Sequence, residues 1–233
     1  MRKIQLVLMI LIVCGSAYAA GTVKEEHPGV DALEAVARLK DGNKRYVEND
    51  TLHPNQVKTR REEVAGGQHP FAIILGCADS RVPPEIIFDQ GLGDLFVNRV
   101  AGNIIDDALL GSMEYAVEHL GVRLIVVLGH EKCGAVAATL SGGAVPGHIG
   151  SLVDAIRPAL IAWKKEFGDT PALDNLVRLN VSHVVDQLKS SEPILHEFVK
   201  EGKLAVVGAR YDLDDGTVEF ITPMASEEKK AGE

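Results

Sequence analysis

Two apolar runs constrain this chain more than anything else in it. Residues 71–76 read FAIILG and lead into Cys77-Ala78-Asp79-Ser80-Arg81; residues 124–129 read LIVVLG and lead into His130-Glu131-Lys132-Cys133-Gly134. A short run without polar alternation is the pattern of a strand buried on both faces, as in a parallel sheet covered by helices. Parallel strands deliver their C-terminal ends to one crevice. Two thiols and an imidazole would then meet at one point, with a carboxylate and a guanidinium beside them.

The remaining segments supply the cover. The spacing predicts helices over residues 31–47 (capped by Asp31), 85–90 (after Pro83-Pro84), 106–121 (from an Asp106 cap to Gly121), 134–140, 151–167 (kinked at Pro158) and 171–189. A last helix through Lys200 would be capped by Ser191, with Pro193 in its first turn. Residues 56–65 fit helix or loop. Further strands are expected at 95–100 and 204–207, with an edge strand at 217–221 after the turn Asp214-Asp215-Gly216. The fold class is therefore α/β: a single domain over residues 31–225, with a central mostly parallel β-sheet of about four parallel strands plus an edge strand, flanked by helices, and an N-terminal helical arm. In the helix over 106–121, Leu109, Met113, Ala116, Val117 and Leu120 form the apolar stripe and Tyr115 falls off it. A partner surface or a site explains Tyr115 better than the domain's own core.

Composition matters at two points. The chain has 233 residues, 46% of them hydrophobic, enough for one full core. Its formal charge of −9 argues against nucleic acid as a partner. Residues 1–19 read as a secretion signal: Arg2 and Lys3, an apolar run at 4–13, then Ala17-Tyr18-Ala19, with cleavage between Ala19 and Ala20. The run is short for a membrane span, which disfavours an uncleaved anchor, and Val13 is bulky for a lipoprotein reading of Cys14. Residues 20–30 are a flexible lead-in and 226–233 a disordered tail. The mature protein is expected in the periplasm or secreted, with no membrane span. Cleavage leaves Cys77 and Cys133, which in an oxidising compartment could form a disulfide. Their placement beside other ligand types favours a metal.

Cys-x-Asp and His-x-x-Cys offer sulfur, oxygen, nitrogen and sulfur. Zinc takes such a set tetrahedrally, and thiolates exclude magnesium and calcium. Three protein ligands with one exchangeable position make a catalytic site; four make a structural one. Asp79 could close the site as a ligand, or turn to Arg81 and leave room for water. Zinc-bound water loses its proton near pH ~7, and an ionised Asp79 would orient the resulting hydroxide. The plainer readings are a structural zinc site with Asp79 and Arg81 as a surface ion pair.

Together these residues resemble the β-class carbonic anhydrases. The resemblance rests on Cys77-Ala78-Asp79-Ser80-Arg81 and Gly129-His130-Glu131-Lys132-Cys133-Gly134. It extends to Asp41-Gly42-Asn43-Lys44-Arg45-Tyr46, to His148-Ile149-Gly150-Ser151-Leu152 and to Val207-Gly208-Ala209-Arg210-Tyr211-Asp212-Leu213. It implies reversible hydration of carbon dioxide to bicarbonate and a proton by zinc-bound hydroxide, with one Zn2+ per subunit held by Cys77, His130 and Cys133. Asp79 and Arg81 would be the catalytic dyad, Asp79 able to swing onto the metal in a closed form. Gln68, Phe96 and Tyr115 match substrate-pocket positions of plant-like, open-site members, in which the pocket spans a dimer interface, and Gly134 matches a backbone donor. A homodimer or higher even homo-oligomer follows. The segment Arg99-Val100-Ala101-Gly102-Asn103 departs from the plant-like pattern. Two thiolates should make the metal's water less acidic unless Arg81 compensates, so activity is expected to rise with pH on the alkaline side of neutral. A hydrolase of carbon disulfide or carbonyl sulfide on the same scaffold, and a non-catalytic zinc-binding protein, are the alternatives.

Overall fold

The computed structural model describes residues 29–222. The signal segment, most of the lead-in and the tail lie outside the described residues. The five strands are β1 (Ala72–Gly76), β2 (Leu95–Arg99), β3 (Leu124–His130), β4 (Ala205–Tyr211) and β5 (Val218–Phe220), in sheet order β2-β1-β3-β4-β5. The first four are parallel and β5 is antiparallel to β4. This is the expected architecture.

Both faces are covered, which is why β1 and β3 are buried at every position. Alternate residues serve opposite faces. Ile74, Val126 and Leu128 pack under helices α1 (Ala32–Val47) and α3 (Pro84–Ile87), through Ala35, Val36, Leu39 and Ile87. Ile73, Leu75, Ile125 and Val127 pack under α4 (Asp107–Glu118), α7 (Leu173–Lys189) and α8 (Ile194–Lys200), through Met113, Val117, Val181, Val185 and Leu195. A third, smaller cluster joins Cys77 and Cys133 to α5 (Gly134–Ser141), α6 (Ile149–Phe167) and α7. Residues 56–65 settle as helix α2 (Lys58–Val64), with no buried residue.

The strand order positions the site. After β1 the chain runs to β2 on one side, then returns across β1 to β3 on the other. The C-terminal ends of β1 and β3 therefore flank the switch point, where open α/β sheets bind their ligands. Cys77 follows β1 directly and His130 closes β3.

Some boundaries differ from expectation. β4 continues to Tyr211 instead of stopping at Val207. Gly208 and Arg210 interrupt the apolar run, but each has a tertiary reason. A Cβ on Gly208 would stand 2.7 Å from Val181 of α7, and one on Gly129 of the neighbouring strand would stand 2.5 Å from the same side chain, so glycine lets the helix lie close on the sheet. Arg210 is neutralised by carboxylates. Ser191 does not cap α8 through its side chain: Pro193 occupies the cap position, and the Ser191 carbonyl accepts from the His196 N–H instead. Asp31 and Asp106 cap α1 and α4 as expected, accepting from the N–H groups of Leu33 and Leu109 at 2.9 Å each.

Candidate metal centre

The two strand ends do converge. A sulfur from Cys77, a sulfur from Cys133 and a ring nitrogen of His130 all lie within 4.8 Å of one another, and all three residues are buried. Zinc–ligand bonds of about 2.0–2.3 Å in a tetrahedron set donor separations of roughly 3.3–3.8 Å, so a small inward movement closes this triangle on one ion. Both thiols are free.

His130 is fully buried. Its Nδ1 lies 2.7 Å from the carbonyl oxygen of Glu131, and a carbonyl only accepts, so Nδ1 carries the proton and Nε2 presents its lone pair. Nε2 is buried and has no hydrogen-bond partner. An orphaned buried acceptor between two thiols has a physical reason if it ligates a metal. The donor set, with two soft sulfurs, fits zinc.

The thiols are electrostatically unequal. The Cys133 thiol donates to the Cys77 sulfur and lowers the pKa of Cys77, against the opposing effect of burial. The N–H groups of Gly102 and Asp79 add to the lowering. The Gly102 N–H reaches the Cys77 sulfur at 3.3 Å. Cys133 is pushed up by the same hydrogen bond and by burial, although the N–H groups of Ala135 and Val136 in the first turn of α5 oppose it.

Asp79 is turned to Arg81. The guanidinium donates through Nε to Oδ1 at 2.9 Å and through Nη2 to Oδ2 at 2.7 Å, and the Arg81 N–H adds a bond to Oδ1 at 2.9 Å. These bonds hold the carboxyl well below the usual carboxylate range. Its Oδ2 nevertheless lies 3.8 Å from His130 Nε2, so it borders the metal position without belonging to the three-donor group. Of the two arrangements open to Asp79 in the sequence, this is the one that keeps the ligand count at three.

Gly134 is the first residue of α5, directly beside Cys133, and a Cβ there would meet nothing within 4 Å. The three remaining pocket candidates do not join the site within one chain. Phe96 pairs in register with Ile73, four residues before Cys77 and so roughly 13 Å along the strand. Gln68 is exposed in the segment entering β1, at the far end of the sheet from the thiols. Tyr115 is 49% exposed on α4, its ring against His119 at 5.1 Å, off the buried stripe as its spacing indicated.

Several positioning residues escaped the sequence. Arg99, at the end of β2, donates to the Cys77 carbonyl at 2.8 Å and to the Asp79 carbonyl, pinning the turn that carries both side chains. Asn180 of α7, almost fully buried, donates at 3.0 Å to the carbonyl of Gly102 and so steadies the turn whose N–H meets Cys77. A charged or amide residue at an otherwise apolar strand or helix position was the available signal. A second acidic group, Glu131, Asp212 and Asp214, is already neutralised by Arg210 and Lys132.

Comparison with known proteins agrees with this geometry. A family model described as carbonic anhydrase matches residues 72–218. The chain is 44% identical over 197 residues to a carbonic anhydrase of Mycolicibacterium smegmatis, covering 83% of this chain and 95% of that protein. It is 44% identical over 193 residues to carbonic anhydrase 2 of Mycobacterium tuberculosis, covering 81% and 92%. Among solved structures, the Coccomyxa beta-carbonic anhydrase in complex with acetazolamide matches with a TM-score of 0.65 at 30% identity, over 86% of this chain and 89% of that one. One from Sordaria macrospora, described among two tetrameric beta-carbonic anhydrases, matches with a TM-score of 0.65 at 30% identity, over 71% and 87%.

Proposed function

Because this chain belongs to the carbonic anhydrase family, in its β class, and catalyses the reversible hydration of carbon dioxide to bicarbonate and a proton, we propose that it does so with one zinc ion held by Cys77, His130 and Cys133. A bound zinc supplies Lewis-acid activation of water at neutral pH. The chain's own residues then do the orienting. Asp79, held ionised by Arg81, accepts a hydrogen bond from the attacking water and aims its lone pair at the carbon. Arg81 holds Asp79 away from the three-donor group, so Cys77, His130 and Cys133 would hold the ion and leave a position open for exchange. Arg99 fixes the main chain beneath both. The N–H of Gly134, beside Cys133 at the start of α5, faces the bound carbon dioxide or bicarbonate. Bicarbonate departs and the released proton goes to solvent buffer.

The observation that carries this reading is the unpartnered, fully buried His130 Nε2 between two free thiols, with an arginine-held carboxylate 3.8 Å away. The test is stopped-flow hydration on the exported protein with metal content measured in parallel. Chelation should remove one zinc per chain together with the activity, and zinc should restore both. Cys77→Ser should neither hold zinc nor turn over. Full activity in the metal-free protein, or turnover of carbon disulfide but not carbon dioxide, would defeat it.

Two further parts of the reading concern assembly and location. Gln68, Phe96 and Tyr115 reach a site only in a second copy of the chain, so the pocket is shared across a homodimer or a higher even assembly. Exposed Ile86 of α3 and exposed Leu52 and Leu92 on the neighbouring loops support this; Asp89 ties the Leu52 loop to the end of α3, and the Asn55 carbonyl accepts from the Leu92 N–H. The relative from Sordaria macrospora is described as tetrameric. Residues 1–19 direct export, and the mature chain begins at Ala20 in the periplasm or medium. Among the described residues no helix is long and apolar enough to cross a membrane. N-terminal sequencing of the exported protein checks the cleavage point.

A further inference from the structure

We infer that Arg210 is a positioning residue for the metal site: through Glu131 it fixes the carbonyl that sets the tautomer and direction of His130. The inference rests on the zinc reading above, and it starts from a residue that the strand pattern does not want. Arg210 lies within β4 opposite Gly129, 8% exposed, where the flanking positions are apolar and buried. Its guanidinium is shared among three carboxylates: Nη2 donates to Glu131 Oε1, Nε to Asp174 Oδ1 at 2.7 Å and Nη1 to Asp212 Oδ2 at 3.0 Å. Buried ion groups of this kind are weak devices for stability, since apolar replacements often do as well. They are effective at fixing one geometry.

What this group fixes is the residue after the imidazole ligand. The β3–β4 ladder pairs His130 with Tyr211, and its last tie is the Glu131 N–H to the Tyr211 carbonyl at 3.0 Å. Immediately beyond, Lys132 turns the chain with φ +53°. The plane of the 131–132 peptide, whose oxygen accepts from His130 Nδ1, therefore lies past the ladder. The Glu131 side chain holds it from the other side: Oε1 takes the Arg210 guanidinium and Oε2 takes the Leu213 N–H at 3.3 Å. The line of force runs from Arg210 to the Glu131 side chain, to the Glu131 carbonyl, to Nδ1–H, and so to an Nε2 lone pair aimed at the two sulfurs. Outer partners that orient a metal-binding histidine are commonly worth 10–100-fold in metal affinity or activity.

The test separates positioning from general stability. Glu131→Gln, Arg210→Met and Arg210→Lys are compared with Arg178→Met, which removes a neighbouring guanidinium bonded to Asp174 and Glu219 but not to Arg210 or Glu131. Zinc affinity is read by chelator competition, and the His130 tautomer by nitrogen NMR of the zinc-free protein. Expected results are an Nδ1–H tautomer in the wild type, and zinc affinity lowered about 10–100-fold in Glu131→Gln and Arg210→Met. Those two variants should also show a mixture of tautomers, with partial rescue in Arg210→Lys and affinity within about threefold of wild type in Arg178→Met. Unchanged affinity and tautomer in Glu131→Gln overturn the inference, as does an equal loss in Arg178→Met. An Nε2–H tautomer in the wild type overturns it without any variant. A wild type that binds no zinc counts against the metal reading itself, whereas normal wild-type binding with indifferent variants counts only against Arg210.

Discussion

The carboxylate of Asp79 is gripped by Arg81 through both oxygens, and this decides what it contributes across the pH range. Its pKa is held below the ordinary carboxylate value chiefly by the Arg81 hydrogen bonds. Asp79 is therefore ionised wherever the enzyme works and adds no limb of its own to the pH–rate profile. Activity should rise in a single limb on the alkaline side of neutral, and a second limb near pH ~5–6 would show that Asp79 is not so held. Asp79→Asn keeps the shape but loses the charge and replaces one of its two acceptor oxygens with an NH2 donor; turnover should fall about 10²-fold or more while zinc content stays at the wild-type level. Stopped-flow rates beside metal analysis decide it. The identities of Cys77, Asp79, Arg81, His130 and Cys133 were legible because all lie in the few residues that follow an apolar run. The choice of Asp79 between metal and Arg81 was not, because both partners lie within its reach in any turn that the two prolines impose.

Among the elements, α7 shows what a close approach requires. Val181 sits on Gly129 of β3 and Gly208 of β4, and a methyl group at 129 would come within 2.5 Å of its Cγ2. Gly129→Ala should force α7 outward and cost about 1–3 kcal/mol, visible as a lowered unfolding midpoint. It should also loosen Asn180, one residue before Val181, from its bond to Gly102. A second element-level tie is Asp89, which follows α3. Burial alone would raise its pKa, but the Arg45 guanidinium and the N–H groups of Leu52 and His53 outweigh that and bring it below the ordinary value. A depressed carboxyl stabilises the fold above its unfolded pKa and loses that contribution as pH falls through the folded one. Stability should thus decline below about pH 4, and Asp89→Asn should be less stable at neutral pH with a shallower acid decline. Urea unfolding at several pH values reads both. Helix and strand positions were legible from periodicity and caps; β4 was cut short because Gly208 and Arg210 look wrong for a strand until α7 and the carboxylates are in place.

For the whole molecule, the separation of Gln68, Phe96 and Tyr115 from the thiols leads to a mixing experiment. Inactive Cys77→Ser protein and impaired Gln68→Ala protein, unfolded and refolded together, should form mixed dimers. One site in each then has wild-type ligands from one chain and a wild-type pocket from the other. Activity well above the average of the separate variants is expected if the pocket is shared, and simple averaging if each chain builds its own. On the proposed export the assembly would sit where thiols are oxidised, so early zinc capture would protect Cys77 and Cys133 as well as arm the site. No local pattern in the sequence describes a second copy; the off-stripe position of Tyr115 was the one residue-level hint.

The sequence by itself determined the strands, the residues that stand at their ends and the family to which those residues belong. Period, caps and turn residues act over a few neighbours, and a neighbour's identity is written beside it. The tertiary structure decided which way Asp79 turns, how far β4 runs, and which distant groups brace the ligands. Arg99 reaches back 22 residues to Cys77, Asn180 reaches 78 to Gly102 and Arg210 reaches 79 to Glu131. Such bonds depend on where the folded chain brings two polar groups together out of water, and nothing in the spacing of adjacent residues encodes that meeting.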